Sequence, residues 1–395
     1  MANNHSNGRK CKDWLTSYCE YTSEQESPSM FHLWVGISVV ASTLARRCYI
    51  DRGYYRLFPN LYIVLVGGSA RVRKTTAINI GYNIFKDAHP DSTLISQKIT
   101  PEAMLGVLTG SETDSSGGTI ISDELSVFLG NTAKDDSLIQ LLTKLYDCGD
   151  VMDYHTLGRG KEIATNVYMN MIAGTTPEWI RTAIPTHAIG GGFTSRIIFV
   201  YQFEPEKLIP FPALTTAQVR LQGQLVDDLK VIGLMNGKYT LSEKARGWYE
   251  EWYCNIFGKM TEKTESVLDG YYGRKHDTLL KVAMSMAASH TNMMVIDEKD
   301  LETALLAMNE NEKYLPEVIK SVMSTQVGDE QNKVLRCIQK RGEVSYSDLL
   351  KNVSYCMDAR RVCEIIDTLI AEELISESVK DGKRYFRGRK NGGKK

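Results

Sequence analysis

The sequence has no Cys-x-x-Cys pair, no long apolar run and no surplus of charge of one sign, and each absence removes a class of protein. Its eight cysteines stand apart at 11, 19, 48, 148, 254, 337, 356 and 363. That scatter argues against a zinc ribbon and against a secreted disulfide framework, and makes a reducing cytoplasm the expected compartment. The N-terminus lacks a basic stretch followed by an apolar core and a small-residue cleavage site, so no secretory signal is expected. The longest early apolar run, Phe31 to Ala45, is broken by His32 and by Ser and Gly, and it ends at Arg46-Arg47. It falls short of the roughly 20 residues that a membrane span needs and reads as a buried helix, so no membrane partner is expected. Lys and Arg number 47 against 48 Asp and Glu, a formal net charge of −1. Any binding of nucleic acid must therefore come from local patches. No internal repeat is visible. His32, His276 and the group Trp248, Trp252 and Tyr253 have no partner spacing for a triad or a metal site and are expected to pack.

A chain of 395 residues is long enough for two or three cores. Residues 1–27 are polar and Ser/Glu-rich and read as a loose tail that turns helical around Asp13. From 28 to 213 the pattern alternates strand and helix, as in an α/β parallel sheet. Its apolar runs are Tyr62 to Val66, Gly118 to Ser122, Val167 to Ala173 and Ile197 to Tyr201, with helical patterns at Thr75 to Lys86 and Asp136 to Tyr146. Pro205, Pro210 and Pro212 mark a boundary. From about 214 to 325 the patterns are helical, with Leu279, Val282, Ala283, Met286 and Ala287 at helical spacing, which suggests a lid over residues 214–327. Residues 328–395 read as helix Lys333 to Lys340, strand Glu343-Val344, helix Ser347 to Asn352, helix Asp358 to Glu373 and a hairpin turning at Asp381-Gly382. Three helices and a two-stranded wing make a winged helix.

The strongest local signal is Gly67-Gly-Ser-Ala-Arg-Val-Arg-Lys74-Thr75-Thr76, set between a strand and a helix as a phosphate-binding loop must be. Backbone N–H groups from Gly68, Ser69 and the following helix surround phosphate oxygens, Lys74 supplies a point charge, and Thr75, followed by Thr76, offers a hydroxyl to Mg²⁺. Gly68 fits the first glycine of G-x-x-x-x-G-K-[ST], but Arg73 stands where the second belongs. A basic turn before a helix would also carry these residues. Downstream, Thr119-Ile-Ile-Ser-Asp123-Glu124 is an apolar strand ending in paired carboxylates. In that pattern the Asp holds the Mg²⁺ shell and the Glu polarises an attacking water. Alone, an Asp-Glu pair is also common as a solvated strand edge. ATP and Mg²⁺ are the cofactors these two motifs imply.

The order of phosphate loop, Asp-Glu strand, polar-tipped strand and Ser-Arg before a last strand resembles the AAA+ ATPases, most of all the minichromosome-maintenance helicase branch. It is also similar to helicase-like ATPases of phages and genomic islands. The likeness covers roughly 28–325. It implies a P-loop ATPase core with a helical lid, a homo-oligomeric ring expected as a hexamer, and DNA as partner. On the segment Ala173-Gly-Thr-Thr176-Pro177 it places the first sensor at Thr176, with Thr175 as rival. On Phe193-Thr-Ser195-Arg196 it makes Arg196 the finger that reaches a neighbour's nucleotide, a role that suits the planar fork of an arginine. At Gly273-Arg274 it suggests Arg274 as the second sensor. It also puts a hairpin for the ring channel at Tyr154 to Ala164, with Arg159 and Lys161 to grip single-stranded DNA by its phosphates.

A second DNA contact is expected in the tail. Arg360 and Arg361 open the expected recognition helix, and Lys383 and Arg384 lie among further Lys and Arg residues on the wing, in a chain that is otherwise neutral. Charged ends also serve mere solubility, and winged helices also bind proteins. The expected activity is an ATP-dependent DNA helicase or translocase, replicative and encoded by a phage or other mobile element. Two alternatives stay open. One is a helicase loader or other DNA-dependent ATPase that does not unwind. The other is a DNA-binding module that no longer hydrolyses, for which Arg73 is the best indication.

Overall fold

The structure, a computed structural model, describes residues 8–109, 116–130, 135–156, 160–183, 192–261, 269–314, 326–353, 357–380 and 382–389. The chain forms two compact units, Met1–Ile319 and Lys320–Lys395.

The first unit is built on a parallel sheet of five strands: β1 (Tyr62–Val66), β2 (Leu94–Ile95), β3 (Gly117–Ser122), β4 (Tyr168–Thr175) and β5 (Ile197–Tyr201). Their order in the sheet is β2-β3-β4-β1-β5. All five residues of β1 and all eight of β4 are buried, as strands covered on both faces must be. Val66 is level with Thr175 of β4 and with Tyr201 of β5, so these strands finish together and their carboxyl ends form one edge. Open sheets of this kind bind ligands in the crevice beyond that edge. The four apolar runs legible in the sequence are the four long strands. The two-residue β2 had no pattern to reveal it.

Between β3 and β4 lie the helices Leu125–Leu129 and Ser137–Tyr146 and a hairpin of Val151–Thr156 with Gly160–Thr165. The helices Ser29–Leu44 and Lys74–Ala88 pack together and against the sheet, and buried polar groups fix their seating. Asn170, in the middle of β4, accepts from the Leu61 N–H at 2.8 Å and donates to the Ser42 hydroxyl at 2.7 Å. The Tyr82 hydroxyl of the Lys74–Ala88 helix is 2.9 Å from that of Ser38. Every group in this network finds a partner, which is what makes a polar cluster tolerable inside a core.

Two expectations about organisation are corrected here. The helix expected around Asp13 is present, but residues 9–27 are held rather than loose. Asp13 caps the helix Trp14–Tyr21, whose Trp14, Leu15, Tyr18 and Tyr21 form a buried stripe at helical spacing. The Lys10 and Cys11 N–H groups donate to the Asp228 carboxylate at 2.7 and 2.8 Å, and Trp14 Nε1 donates to the Leu225 carbonyl at 2.9 Å. Nor are the helices after 214 a separate lid. Thr216–Ile232, Glu243–Glu251, Asp269–His290 and Glu298–Glu312 share one continuous apolar core with the N-terminal helices. His32 lies inside this core with neither ring nitrogen hydrogen-bonded among the described residues, edge-on to Tyr18. Burial pushes its pKa down to about 4, so the ring is neutral and packs.

The second unit comprises the helices Gln326–Arg341, Tyr346–Val353 and Ala359–Ala371 and an antiparallel sheet in which Lys383–Gly388 runs between Glu343–Ser345 and Ile375–Lys380. Val334, Ile338, Leu349, Val362, Ile366 and Phe386 centre its core. Gly382 turns the hairpin with φ +70°, which favours glycine. Among the described residues no helix is long and apolar enough to cross a membrane.

Candidate functional site

At the carboxyl edge, β1 runs straight into the glycine loop. A Cβ on Gly67 would sit 2.4 Å from the Gln202 carbonyl oxygen and 2.5 Å from Val72 Cγ2, whereas one on Gly68 would meet nothing nearer than 3.7 Å. Steric demand therefore falls on Gly67, one residue before the glycine that fits the sequence motif. The Gly67 N–H donates to the Thr175 carbonyl at 3.3 Å. Ser69 and Ala70 form an exposed tip, and Arg73 closes the loop with φ 49° and ψ 41°. This left-handed conformation is the one a glycine adopts without cost, so Arg73 holds the backbone in a shape that favours glycine.

The helix Lys74–Ala88 starts at once, with its first N–H groups beside the loop. The Lys74 ammonium is buried and donates to the Gly67 and Gly68 carbonyls at 2.7 and 3.2 Å. Burial lowers its pKa, and the charges of Glu124 and Glu178 oppose that shift. Thr75 is half-buried and Thr76 exposed.

The carboxylate pair lies two strands away, beyond β4. Asp123 is exposed, and Glu124 begins the helix Leu125–Leu129. The Thr175 hydroxyl donates to Glu124 Oε1 at 2.8 Å and the Ser126 hydroxyl donates to the same oxygen at 3.2 Å. Thr176 instead caps the next helix, Pro177–Ala183, through a long contact of 3.4 Å from the Trp179 N–H. Thr175, the rival of the sequence reading, is thus the threonine that reaches Glu124. Register brings them near: β3 ends at Ser122, level with Ala173, so the chain just beyond it passes the end of β4 at Thr175, and neighbouring strand residues point to opposite faces. Gly174 allows the close approach, since a Cβ there would lie 2.7 Å from the Asp123 carbonyl oxygen and 3.6 Å from Lys74 Cβ.

Arg196 and Arg274 lie elsewhere. Arg196 immediately precedes β5, at the amino edge of the sheet. A five-residue strand at about 3.3 Å per residue separates that edge from the loop. Its side chain is only 7% exposed and forks onto Asp147, with Nη2 at 2.8 Å from Oδ2 and 3.0 Å from Oδ1. Nη1 donates to the Gly192 carbonyl at 2.6 Å. Arg274 lines a cavity of about 280 Å³ together with Tyr55, Asp147, Asp277 and Lys281. The Lys281 ammonium sits 3.8 Å from the Tyr146 ring centroid and donates to Asn60 Oδ1 at 2.9 Å. The structure so gathers the two arginines around Asp147, away from Lys74. No sequence signal marked Asp147 or Lys281.

The expected hairpin is present, with Lys161 on its second strand level with His155, while Arg159 lies outside the described residues. In the second unit many cations already have anionic partners. Arg361 is paired with Glu330 at 2.7 Å and Glu364 at 2.9 Å, Lys380 with Glu343 at 2.7 Å, and Arg384 with Glu377. Arg360, whose side chain is 91% exposed, has only a long contact of 3.6 Å to Glu364, and Lys383 has no ion pair among the described residues. Residues 320–395 carry sixteen Lys and Arg against eleven Asp and Glu, an excess of five positive charges in a chain whose net charge is −1.

Among the described residues no group of three or more His, Cys, Asp or Glu side chains could hold a metal by itself. Thr75 and Asp123 offer two hard oxygen donors, which suits Mg²⁺ when substrate phosphates and water complete its shell. No protein-family model matches the chain, and no curated protein matches it.

Proposed function

We propose that this protein is an ATP- and Mg²⁺-dependent motor of the AAA+ type that acts on DNA as a homo-oligomeric ring, a helicase or translocase. The observation that carries the reading is the convergence at the carboxyl edge of a parallel sheet. A buried Lys74 at a helix N-terminus and a Glu124 held by Thr175 come from separate strands to the crevice where such sheets bind ligands. Lys74 and the loop N–H groups bind the triphosphate, Thr75 and Asp123 hold Mg²⁺, and Glu124 orients and deprotonates the attacking water. Mg²⁺, when bound, supplies charge neutralisation at the phosphates. Thr175 fixes the Glu124 carboxylate, which favours it over Thr176 as the polar residue at the end of β4 that serves the site. Arg196 and Arg274, too far from their own loop, serve a neighbour's nucleotide.

Supporting DNA as the partner are the hairpin that carries Lys161 and the positive excess of the second unit, which we read as a winged helix. The pairing of Arg361 and Arg384 with carboxylates favours a supporting role for that unit over a principal one, and so keeps the helicase-loader reading in play. The test is ATP hydrolysis by wild type and Lys74→Ala, with and without single-stranded DNA, followed by strand displacement. Hydrolysis that DNA stimulates and Lys74→Ala abolishes is the expected result. Stimulated hydrolysis without displacement would select the loader, and no hydrolysis would reject the motor.

A further inference from the structure

The phosphate loop is tied at its least glycine-like residue to a segment that no nucleotide motif includes. The Ser27 hydroxyl, on a residue only 3% exposed, donates to the Arg73 carbonyl at 3.1 Å. The Arg73 guanidinium donates through Nε to Glu26 Oε2 at 3.0 Å, while Glu26 Oε1 accepts the Ile209 N–H at 3.1 Å. Glu26 thus joins the loop to the segment after β5 as well as to the N-terminal segment. Its pKa is lowered, first by the Ile209 N–H and then by Arg73. Arg71, on the same loop, pairs with Glu204 at 2.9 Å.

Arg73 needs such support. A non-glycine residue sits in the left-handed region only at a cost, and Arg73 does so at the junction that aims Lys74 and the helix N-terminus. An exposed ion pair alone would hardly cover that cost. A buried hydroxyl on the carbonyl fixes the backbone directly, and Glu26 is itself anchored on two sides. We infer that Glu26 and Ser27 are positioning residues of the phosphate loop, holding Arg73 in the conformation that a glycine would take unaided. The inference rests on the nucleotide reading of the loop and adds that the N-terminal segment is part of the binding apparatus.

A rescue experiment tests it. The combination Glu26→Gln with Ser27→Ala should raise the KM for MgATP by about tenfold with little change in kcat, because only the fraction of loops in the competent conformation falls. Adding Arg73→Gly should restore KM to within about twofold, since glycine needs no clamp. Hydrogen exchange of the amides of residues 67–76, measured without nucleotide, should quicken in the double variant and slow again in the triple. A triple variant as weak as the double, or a double variant equal to wild type, overturns the proposal. Should the double variant fail to fold, Arg73→Gly in the native background decides. It should bind MgATP at least as well as wild type, and a loss of tenfold or more would mean that Arg73 acts through its side chain. If wild type binds no nucleotide, the proposed function falls, while the exchange comparison still decides the clamp.

Discussion

The two ends of the five-stranded sheet are furnished in opposite ways. At the carboxyl edge Lys74 and Glu124 are held by uncharged partners, Lys74 by two loop carbonyls and Glu124 by two hydroxyls, while Asp123 is exposed and the ion pairs there belong to Arg71 and Arg73 of the loop. At the amino edge Arg196 is forked onto a carboxylate, and Arg46 is bonded to Asp150 and to the Val167 carbonyl. All of these bonds are charge-assisted, but only at the amino edge does a partner carry the opposite charge, so only there is the charge already compensated. The carboxyl edge can exchange its partners for a phosphate at little cost. The amino edge is closed as it stands, and Arg196 can serve a neighbour only by leaving Asp147.

The largest effect expected breaks the comparison at its closed end. If Arg196 is a finger, Arg196→Ala should cut ATP turnover by about 10³- to 10⁵-fold and leave ATP binding nearly intact. Mixed with Lys74→Ala subunits it should recover some activity, because some interfaces then pair an intact loop with an intact arginine. Asp147→Asn should keep turnover within about tenfold of wild type, since it removes the resting partner alone. A mixture shown by crosslinking to contain both subunits, yet inactive, would assign the Arg196–Asp147 pair to the fold and not to catalysis.

At the open end, Glu124→Gln should slow hydrolysis by about 10²- to 10⁴-fold, the contribution of a positioned base, with nucleotide affinity unchanged. Equilibrium binding beside single-turnover hydrolysis separates the two quantities. A variant that turns over at the wild-type rate would remove Glu124 from the chemistry.

Legibility in the sequence followed the range of the interactions. Strands β1, β3, β4 and β5 were legible because burial on both faces demands continuous apolar runs. The loop and the Asp-Glu pair were legible because each is contiguous. Asp147 and Lys281 were not, because their partners Arg196 and Asn60 are far away in the chain and an isolated Asp or Lys carries no pattern. The helix at Asp13 was legible but its docking was not, for the same reason: the segment is polar by composition, yet Trp14, Tyr18 and the bonds to Asp228 tie it into a core shared with residues 216–312. Thr175 and Thr176 were separable only by counting strand alternation back from the Asp-Glu pair across a register that pairing alone reveals.

That last distinction gives a sharper and smaller test. Thr175→Val removes the hydroxyl on Glu124 but keeps the shape, and should lower kcat by about tenfold with KM little changed, the value of one hydrogen bond to a charged group. Thr176→Val, which loses only a weak helix cap, should stay within about twofold. The reverse order, read from steady-state kinetics, would return the sensor role to Thr176.

The smallest effect concerns the second unit, where the same contrast of open and closed cations recurs among side chains a few residues apart. Lys380 and Arg384 are already paired with Glu343 and Glu377, whereas Lys383 has no ion pair among the described residues and Arg360 only a long one. A cation that must first leave a carboxylate contributes little to a phosphate, because the anion it abandons repels the same DNA. A free cation instead releases about 0.9 counterion per phosphate met. Lys383→Ala and Arg360→Ala should each weaken duplex binding by about fivefold near physiological salt and lower the slope of log K against log salt by about 0.9. Lys380→Ala and Arg384→Ala should change that slope by much less, for each removal also frees a carboxylate to repel. Fluorescence anisotropy across a salt series measures all four slopes. Equal slopes for all four would mean that the ion pairs open on DNA, and unchanged binding in all four would take these cations out of the contact with DNA.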